Sequence, residues 1–318
     1  MGVIRDINSD AEGGLVTVET AVRILQNHGV VAIPTETVYG LAACAKDDIA
    51  VTKVFATKGR PANNPLIVHV SSAQQATQFA HFTALALQLA EKFWPGPLTL
   101  VLPHRDNLPV SVTCGLSTVA VRMPRHPVAL QIIEHVGQPL VAPSANRSGT
   151  PSPTSAQHVL NDYGGTIPVV DGGASTIGIE STVVMVSDAS CTILRPGAIT
   201  GDELLEAGCN AVHLLGNAED LHHSPGTRYR HYAPKTPIRL LFSEDDVKIA
   251  SRSGNKHILA PYTLADQPQW RLLSTASLYS ELRLADALGV DEIIVLCTEA
   301  VIKDSALIDR LRRAAGNV

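Results

Sequence analysis

The sequence predicts an α/β fold in two domains: a larger domain with a large mixed sheet and a concave basic cavity, and a small Rossmann-like C-terminal α/β domain. Three observations predict it. The chain has 318 residues, more than the roughly 100–200 of a usual single domain. Short apolar runs of strand length alternate with segments of helical period along it. A polar, His-rich stretch with Ser224-Pro225-Gly226 and Ala233-Pro234-Lys235 interrupts that alternation and reads as an extended connector. The expected boundaries are therefore 1–215, a connector over 216–237, and 238–318.

The elements follow in order. Val18, Ala21, Val22 and Leu25 recur at helical spacing behind Thr17, and Gly29 closes that helix before a strand at Val30 to Ile33. A second helix is expected from Asp48 to Thr57, ended by Gly59 and Pro61, with Lys58 and Arg60 on the turn and a strand from Leu66 to Val70 beyond. Further strands are read at Leu98 to Leu102, Val119 to Val121, Leu140 to Ala142, Pro168 to Val170, Thr182 to Val186 and Thr192 to Leu194. Past the connector, strands at Ile238 to Phe242, His257 to Ala260 and Glu292 to Cys297 alternate with helices near Glu244 to Ala250, Ser277 to Leu288 and Ser305 to Ala314. That alternation predicts a small parallel sheet. No G-x-G-x-x-G opens it, so dinucleotide binding there is not supported.

Composition narrows the function classes. Apolar residues at 45% and charged residues at 17% exclude a disordered, collagen-like or coiled-coil chain. No run approaches the roughly 20 apolar residues of a membrane span. The first residues carry Asp6, Asp10 and Glu12 in place of a basic-then-apolar leader. Five cysteines, without C-x-x-C spacing, suggest neither a disulfide framework nor structural zinc. A cytoplasmic protein without membrane association is expected. The net charge of −5 gives no reason to expect a nucleic-acid-coating protein, yet it hides a block. Between Ile49 and Asn161 stand eight bases and three acids, Glu91, Asp106 and Glu134, a balance of +5 that leaves −10 elsewhere. A segment so poor in carboxylates suits an anion-binding cavity, because acids near a phosphate would repel it.

Polar clusters stand at the ends of expected strands, where α/β sheets place binding residues. Pro34-Thr35-Glu36-Thr37-Val38-Tyr39-Gly40 follows the first. Lys58-Gly59-Arg60-Pro61 sets two cations on a turn that could converge on phosphate oxygens or stay solvated. His69 is open to either a core or a ligand role. Thr118, Ala120 and Arg122 share one side of their strand by the period of two. Arg122 needs an anionic partner, and since its neighbourhood is acid-poor, a ligand carboxylate or phosphate is expected unless it lies on an exposed edge. Ala142-Pro143-Ser144-Ala145-Asn146 reads as a hydrogen-bonding loop; G-x-S-x-G is absent, so Ser144 is not read as a nucleophile. Glu180-Ser181-Thr182 and Leu194-Arg195-Pro196-Gly197 again put polar or cationic groups at strand ends, and no P-loop occurs.

Taken together and in order, these motifs, with Asn64-Pro65-Leu66, Trp94-Pro95-Gly96-Pro97-Leu98-Thr99 and Val121-Arg122-Met123-Pro124, resemble the YrdC-type family of threonylcarbamoyl-adenylate synthases in its long two-domain form. The resemblance spans nearly the whole chain. Ser224 to Pro234 is similar to the linker that reaches back over the active site in those members. The resemblance implies a YrdC-like first domain and a nucleotidyltransferase joining L-threonine, bicarbonate or CO2, and ATP into threonylcarbamoyl-AMP with release of pyrophosphate. This is the first step of threonylcarbamoyladenosine modification of tRNA, completed by a downstream transferase machinery. By resemblance, Lys58, Arg60, Ser144, Asn146, Ser152, Arg195 and Tyr232 hold ATP. Thr35, Asn64, His69, Arg122 and Ser181 hold L-threonine, and Thr118, grouped with the nucleotide, could face either ligand. No acid–base catalyst is assigned; Lys58 and Arg60 position and neutralise charge. Mg2+ is expected with ATP, without an assigned protein ligand, and no organic cofactor. The alternative is an RNA-binding or translation regulatory protein using the same basic cavity, and weak direct RNA binding is left open.

Overall fold

The computed structural model describes residues 14–214, 231–263 and 270–316. Among them, nine strands form the large sheet: β1 Val31–Ile33, β2 Gly40–Cys44, β3 Ile67–His69, β4 Leu98–Pro103, β5 Thr118–Arg122, β6 Leu140–Val141, β7 Thr182–Val186, β8 Ser190–Arg195 and β9 Ala211–Leu214. Their lateral order is β1-β2-β6-β3-β5-β4-β7-β8-β9. The sheet is mixed as expected, with parallel contacts between β3 and β5, β4 and β7, and β8 and β9, and antiparallel contacts elsewhere.

Side-chain alternation gives the sheet two differently covered faces. Ala32, Leu41, Ala43, Val68, Val119 and Val121 point into the main core beneath helices Asp48–Lys58, Ala84–Phe93 and Ala156–Tyr163. On the other face, Val31, Ile33, Ala42 and Leu140 are covered by helices Val18–Gln26 and Pro127–Val136. Farther along that second face, Ile67, Val101, Ala120, Val183 and Leu194 form a small apolar patch, of which Ile67 lines a cavity.

Local chemistry explains the ends of the elements. Thr17 caps Val18–Gln26, accepting from Thr20 N at 3.2 Å. Asp47 does the same for Asp48–Lys58, which Gly59 ends at φ 62°, a left-handed turn that glycine takes without a Cβ penalty. Lys58 is thus the last helical residue, not part of the turn, and its side chain is buried.

The second sheet comprises β10 Ile238–Leu241, β11 Lys256–Ala260, β12 Trp270–Leu272 and β13 Glu292–Leu296, in the order β10-β13-β11-β12, every pair parallel. Helices Leu278–Leu288 and Ser305–Ala315 pack on it through Leu282, Ala285, Leu307 and Leu311, in a core that also takes in Ile179 and, from the cavity lining, Val38 and Tyr232. Of the expected connector, 216–230 lie outside the described residues. The large sheet ends at Leu214 and β10 begins at Ile238. No helix among the described residues is long and apolar enough to cross a membrane.

The expected strands need correction: β9 and β12 were not among them, and two further cases have a physical reason. The run 168–170 is no strand; Val169 makes only isolated bridges to Leu15 and Ala32. Pro168 offers no N–H, and the Asp171-Gly172-Gly173 turn leads the chain away at once. Conversely, β2 was not expected. Its Gly40-Leu41-Ala42-Ala43-Cys44 is buried on both faces and built of small residues, so it has neither alternation nor β-branched content to betray it.

Candidate active site

The cavity lies where several strand ends meet, between the uncovered part of the large sheet and the segment entering the C-terminal domain. Arg60, His69, Arg122, Ser144, Asn146, Ser181, Arg195 and Tyr232, all expected at a site, line it together, joined by Thr37, Glu180 and His231.

One end is built from β3 and β5. Their parallel register sets His69 beside Arg122, and the shared parity turns both to the cavity face. Arg122 is buried and donates from Nη2 to Glu36 Oε1 at 2.6 Å, from Nη1 to Thr37 Oγ1 at 2.9 Å and from Nε to Gly96 O at 3.1 Å. The expectation that a ligand must supply its anionic partner is therefore corrected: Glu36 is that partner. It escaped notice because it precedes the acid-poor block in sequence while folding against it. A guanidinium has five N–H donors, so one hydrogen on each terminal nitrogen remains, the fork that a carboxylate fits. Burial opposes ionisation of Glu36, but Arg122 wins and holds it below the usual carboxylate range.

His69 is 2% exposed. Burial, reinforced by Arg122, pushes it down to about 3, so the ring is neutral at pH 7. Its Nδ1 lies 3.1 Å from Ile67 O, and since a carbonyl only accepts, the hydrogen sits on Nδ1 and Nε2 is a lone-pair acceptor.

The other end is cationic. Lys58 Nζ donates to Ser144 O and, at 2.7 Å, to Asn146 O, fixing the loop after β6 from behind. Arg60 clamps the turn below it through Asn64 O at 3.1 Å and Pro65 O at 2.8 Å. Arg195 is held by Ser181, whose carbonyl accepts from Nε at 3.1 Å and Nη2 at 2.9 Å and whose Oγ lies 3.1 Å from Nη2. Burial, with cation–cation repulsion behind it, lowers Lys58 well below its ordinary value and Arg60 to about 10. Arg195 is lowered too, by burial first. These shifts mark a surplus of buried positive charge, which a polyanion would offset.

Thr35, Asn64, Ser152 and Thr118 stand around the cavity rather than on its lining. Thr35 is buried and bonds within its own loop, to Val38 O at 2.6 Å and Thr37 Oγ1 at 2.8 Å, so Thr37 is the loop's side chain on the wall. Asn64 is buried behind Arg60, its Oδ1 without a hydrogen bond. Ser152, fully buried, donates to Glu180 Oε1 at 2.5 Å. Thr118 begins β5, on the parity of Arg122 but at the far end of the strand. Asn146 lines the cavity with Oδ1 unpartnered and Nδ2 spent on Arg147 O and Thr150 O, 2.8 Å each.

Tyr232 brings the chain back over this end. It takes φ 65°, a region costly for a residue with a bulky side chain, and is kept there by packing. Its ring sits 5.5 Å from Tyr279 and 5.2 Å from the Arg310 guanidinium, and the next amide, Ala233 N, bonds Gly149 O at 2.9 Å. Glu180, His231, Tyr279 and Arg310 were not singled out from the sequence as site residues. Glu180 stands in the Glu180-Ser181-Thr182 motif and could have been found there.

The family model Sua5_yciO_yrdC, described as telomere recombination, matches residues 23–197, and Sua5_C, described as threonylcarbamoyl-AMP synthase, C-terminal domain, matches 199–316. The chain belongs to the Sua5 family of threonylcarbamoyl-AMP synthases. It is 39% identical to the threonylcarbamoyl-AMP synthase of Pyrococcus abyssi over 94% of each chain. With that of Bacillus subtilis it shares 45% identity over 74% of this chain and 69% of the other. Among solved structures, the crystal structure of P. abyssi Sua5 complexed with L-threonine matches with a TM-score of 0.83 and 38% identity over 94% of both chains. The two-domain Sua5 architecture and the mixed sheet are thus those of the family.

Proposed function

We propose that this member of the Sua5 family makes threonylcarbamoyl-AMP in the cavity described, from L-threonine, bicarbonate or CO2, and ATP. The observation that carries the reading is the sorting of one cavity into two ends. A neutral acceptor and an arginine with two N–H groups to spare stand at one; Arg60, Arg195 and the Lys58-braced loop stand at the other.

The chemistry asks for positioning and for charge neutralisation rather than for a nucleophile on the protein. At the first end Arg122 receives the threonine carboxylate, and His69 Nε2 accepts from a donor on the same molecule, with Ser181 and the Thr35 and Asn64 backing nearby. The amine captures carbon dioxide, and the carbamate oxygen attacks the α-phosphorus while pyrophosphate leaves. Arg60 and Arg195 balance the phosphate charge, with Ser144, Asn146 and Ser152 around the nucleotide. Tyr232 covers it and keeps water from a labile mixed anhydride. Thr118 is a contact for whichever ligand extends along β5.

Magnesium enters this reading as part of the substrate, on the triphosphate. The described residues hold no group of three or more His, Cys, Asp or Glu side chains able to take a metal, and the carboxylates of Glu36 and Glu180 are both engaged by arginine. In this reading phosphate oxygens and water would hold the ion. The product passes to the transferase step of tRNA modification, in the cytoplasm.

The test is direct. Purified protein with ATP, bicarbonate and labelled threonine should release pyrophosphate and form a threonine-bearing adenylate, each dependent on all three substrates. Threonine-independent pyrophosphate release, or tight salt-sensitive RNA binding without turnover, would overturn the reading.

A further inference from the structure

Glu180 is where the two domains meet at the cavity. Its Oε1 accepts from Ser152 Oγ at 2.5 Å and Tyr279 Oη at 3.2 Å; its Oε2 accepts from Tyr279 Oη at 2.9 Å and Arg310 Nε at 2.9 Å. Ser152 belongs to the large-sheet domain, whereas Tyr279 and Arg310 come from helices Leu278–Leu288 and Ser305–Ala315 on the other side. Arg310 has 0% exposure and spends its other nitrogens on Asp309 Oδ2 at 2.5 Å and Pro196 O at 2.9 Å. Neither Arg310 nor Tyr279 is on the cavity lining; Glu180 and Arg195 are.

The domains are locked together around this carboxylate. Gly178, two residues before it, has φ 80°, and a Cβ there would lie 2.5 Å from Ala276 Cα, so backbone meets backbone across the junction. Arg283 adds a second tie, bonding both oxygens of Asp162 at 2.7 Å and Ser152 O at 3.4 Å.

We propose that Arg310 is a positioning residue for the nucleotide end of the cavity, supplied by the C-terminal domain: it keeps Glu180 a carboxylate and so sets Ser152 and the Ser181 clamp on Arg195. The proposal rests on the nucleotide reading above. An ionised Glu180 can only accept, so Ser152 must give it its proton and keeps lone pairs alone for other partners. A protonated Glu180 would free that hydrogen bond to reverse. The neighbouring peptide, Ser181, holds Arg195 through both its carbonyl and its hydroxyl, so a shift of Glu180 moves the cation as well.

Burial works against the charge on Glu180, and Arg310 and then Arg195 overcome it, keeping the group below the usual carboxylate range. The other groups facing it are Tyr279, Tyr232 and His231, with Lys58 farther off, while Asp309 faces Arg310 from the same helix. Without Arg310, Arg195 and the Ser152 hydrogen bond are left to oppose burial, and Glu180 rises from its lowered value.

The experiment measures pyrophosphate release by the full chain against ATP and against threonine from pH 5.5 to 9, for wild type, Arg310→Gln, Glu180→Gln, the double variant and Tyr279→Phe. Arg310→Gln should raise the ATP KM at least tenfold and the threonine KM, through Ser181, by a clearly smaller factor. Its kcat/KM for ATP should gain an ascending limb that is missing in the wild type and in the double variant. The double variant should be no worse than Glu180→Gln alone, and Tyr279→Phe should raise the ATP KM a few-fold. An unchanged ATP KM and profile in Arg310→Gln, or a new limb that survives in the double variant, would overturn the proposal. If Arg310→Gln does not fold, Glu180→Gln and Tyr279→Phe decide: selective loss of ATP affinity upholds it and equal shifts for both substrates refute it. A wild-type chain that releases no threonine-dependent pyrophosphate would instead sink the functional reading.

Discussion

Two buried arginine–carboxylate pairs stand at opposite ends of the cavity, and they are inverted with respect to it. In Arg122–Glu36, at 2.6 Å, the cation lines the cavity and the anion lies behind. In Arg310–Glu180, at 2.9 Å, the anion lines it and the cation is behind. Both partners of the first pair come from the large-sheet domain; the second pair joins the two domains. The difference teaches that the same interaction serves two ends. Backed by a carboxylate, Arg122 is a held and oriented receptor for a small anion. Glu180 is a buried carboxylate at a cavity meant for phosphates, and the C-terminal domain supplies the cation that answers its charge and holds it in place.

The comparison breaks most visibly at Arg122. Arg122→Ala strands Glu36 as a buried, uncompensated charge and should cost about 3–5 kcal/mol of folding stability, read from denaturant unfolding, along with threonine-dependent turnover. If stability is unchanged, the pair is not buried in solution. At the other end, Arg60→Ala and Arg195→Ala should each raise the ATP KM by roughly tenfold to 150-fold, the equivalent of about 1.5–3 kcal/mol for a charge-assisted contact. Normal ATP use by Arg60→Ala would remove that turn from the phosphate site.

Substrate selection sharpens the first end. Serine lacks only a methyl, worth about 1–3 kcal/mol or roughly tenfold to 200-fold, whereas 2-aminobutyrate lacks the hydroxyl that a polar pocket reads. In competition serine should be the leaking substrate, and preference for 2-aminobutyrate would show that this end recognises shape rather than the hydroxyl. The smallest effect is titration of His69. Its folded value, about 3, lies below the ordinary value near 6.5, so in that window the unfolded chain binds a proton that the folded chain refuses. Stability therefore falls as pH drops from 6.5, by up to about 1.4 kcal/mol per pH unit from this residue. Glu36 and Glu180, both lowered in the fold, lose their contribution only farther down, as pH falls through the carboxylate range. Unfolding midpoints from pH 7 to 5 should drop less steeply in His69→Asn; equal slopes would mean that His69 is protonated or exposed in the folded state.

Much of the fold is legible in local pattern. Thr17 announces its helix because a cap acts within one turn, and Thr182 to Val186 announces its strand because β-branched residues are dense there. The strand β2 is not legible, since Ala42 and Ala43 carry no strand preference and are held only by β1 and β6 on either side. At the site, Ser144 and Arg195 stood out because each follows a buried run, where a polar group is conspicuous, and Lys58 and Arg60 because they are two cations flanking a glycine. Tyr279 and Arg310 did not stand out: on helices of ordinary composition they read as one aromatic and one basic residue among others.

By itself the sequence determined most of the helices and strands, where the polar clusters stand, and the surplus of positive charge between Ile49 and Asn161, because these depend on neighbours a few residues away. Which charge answers which was decided only by the tertiary structure. Glu36 meets Arg122 across 86 residues and Glu180 meets Arg310 across 130. Burial and Coulomb attraction depend on distance through space, and that distance does not exist until the two sheets have formed and docked.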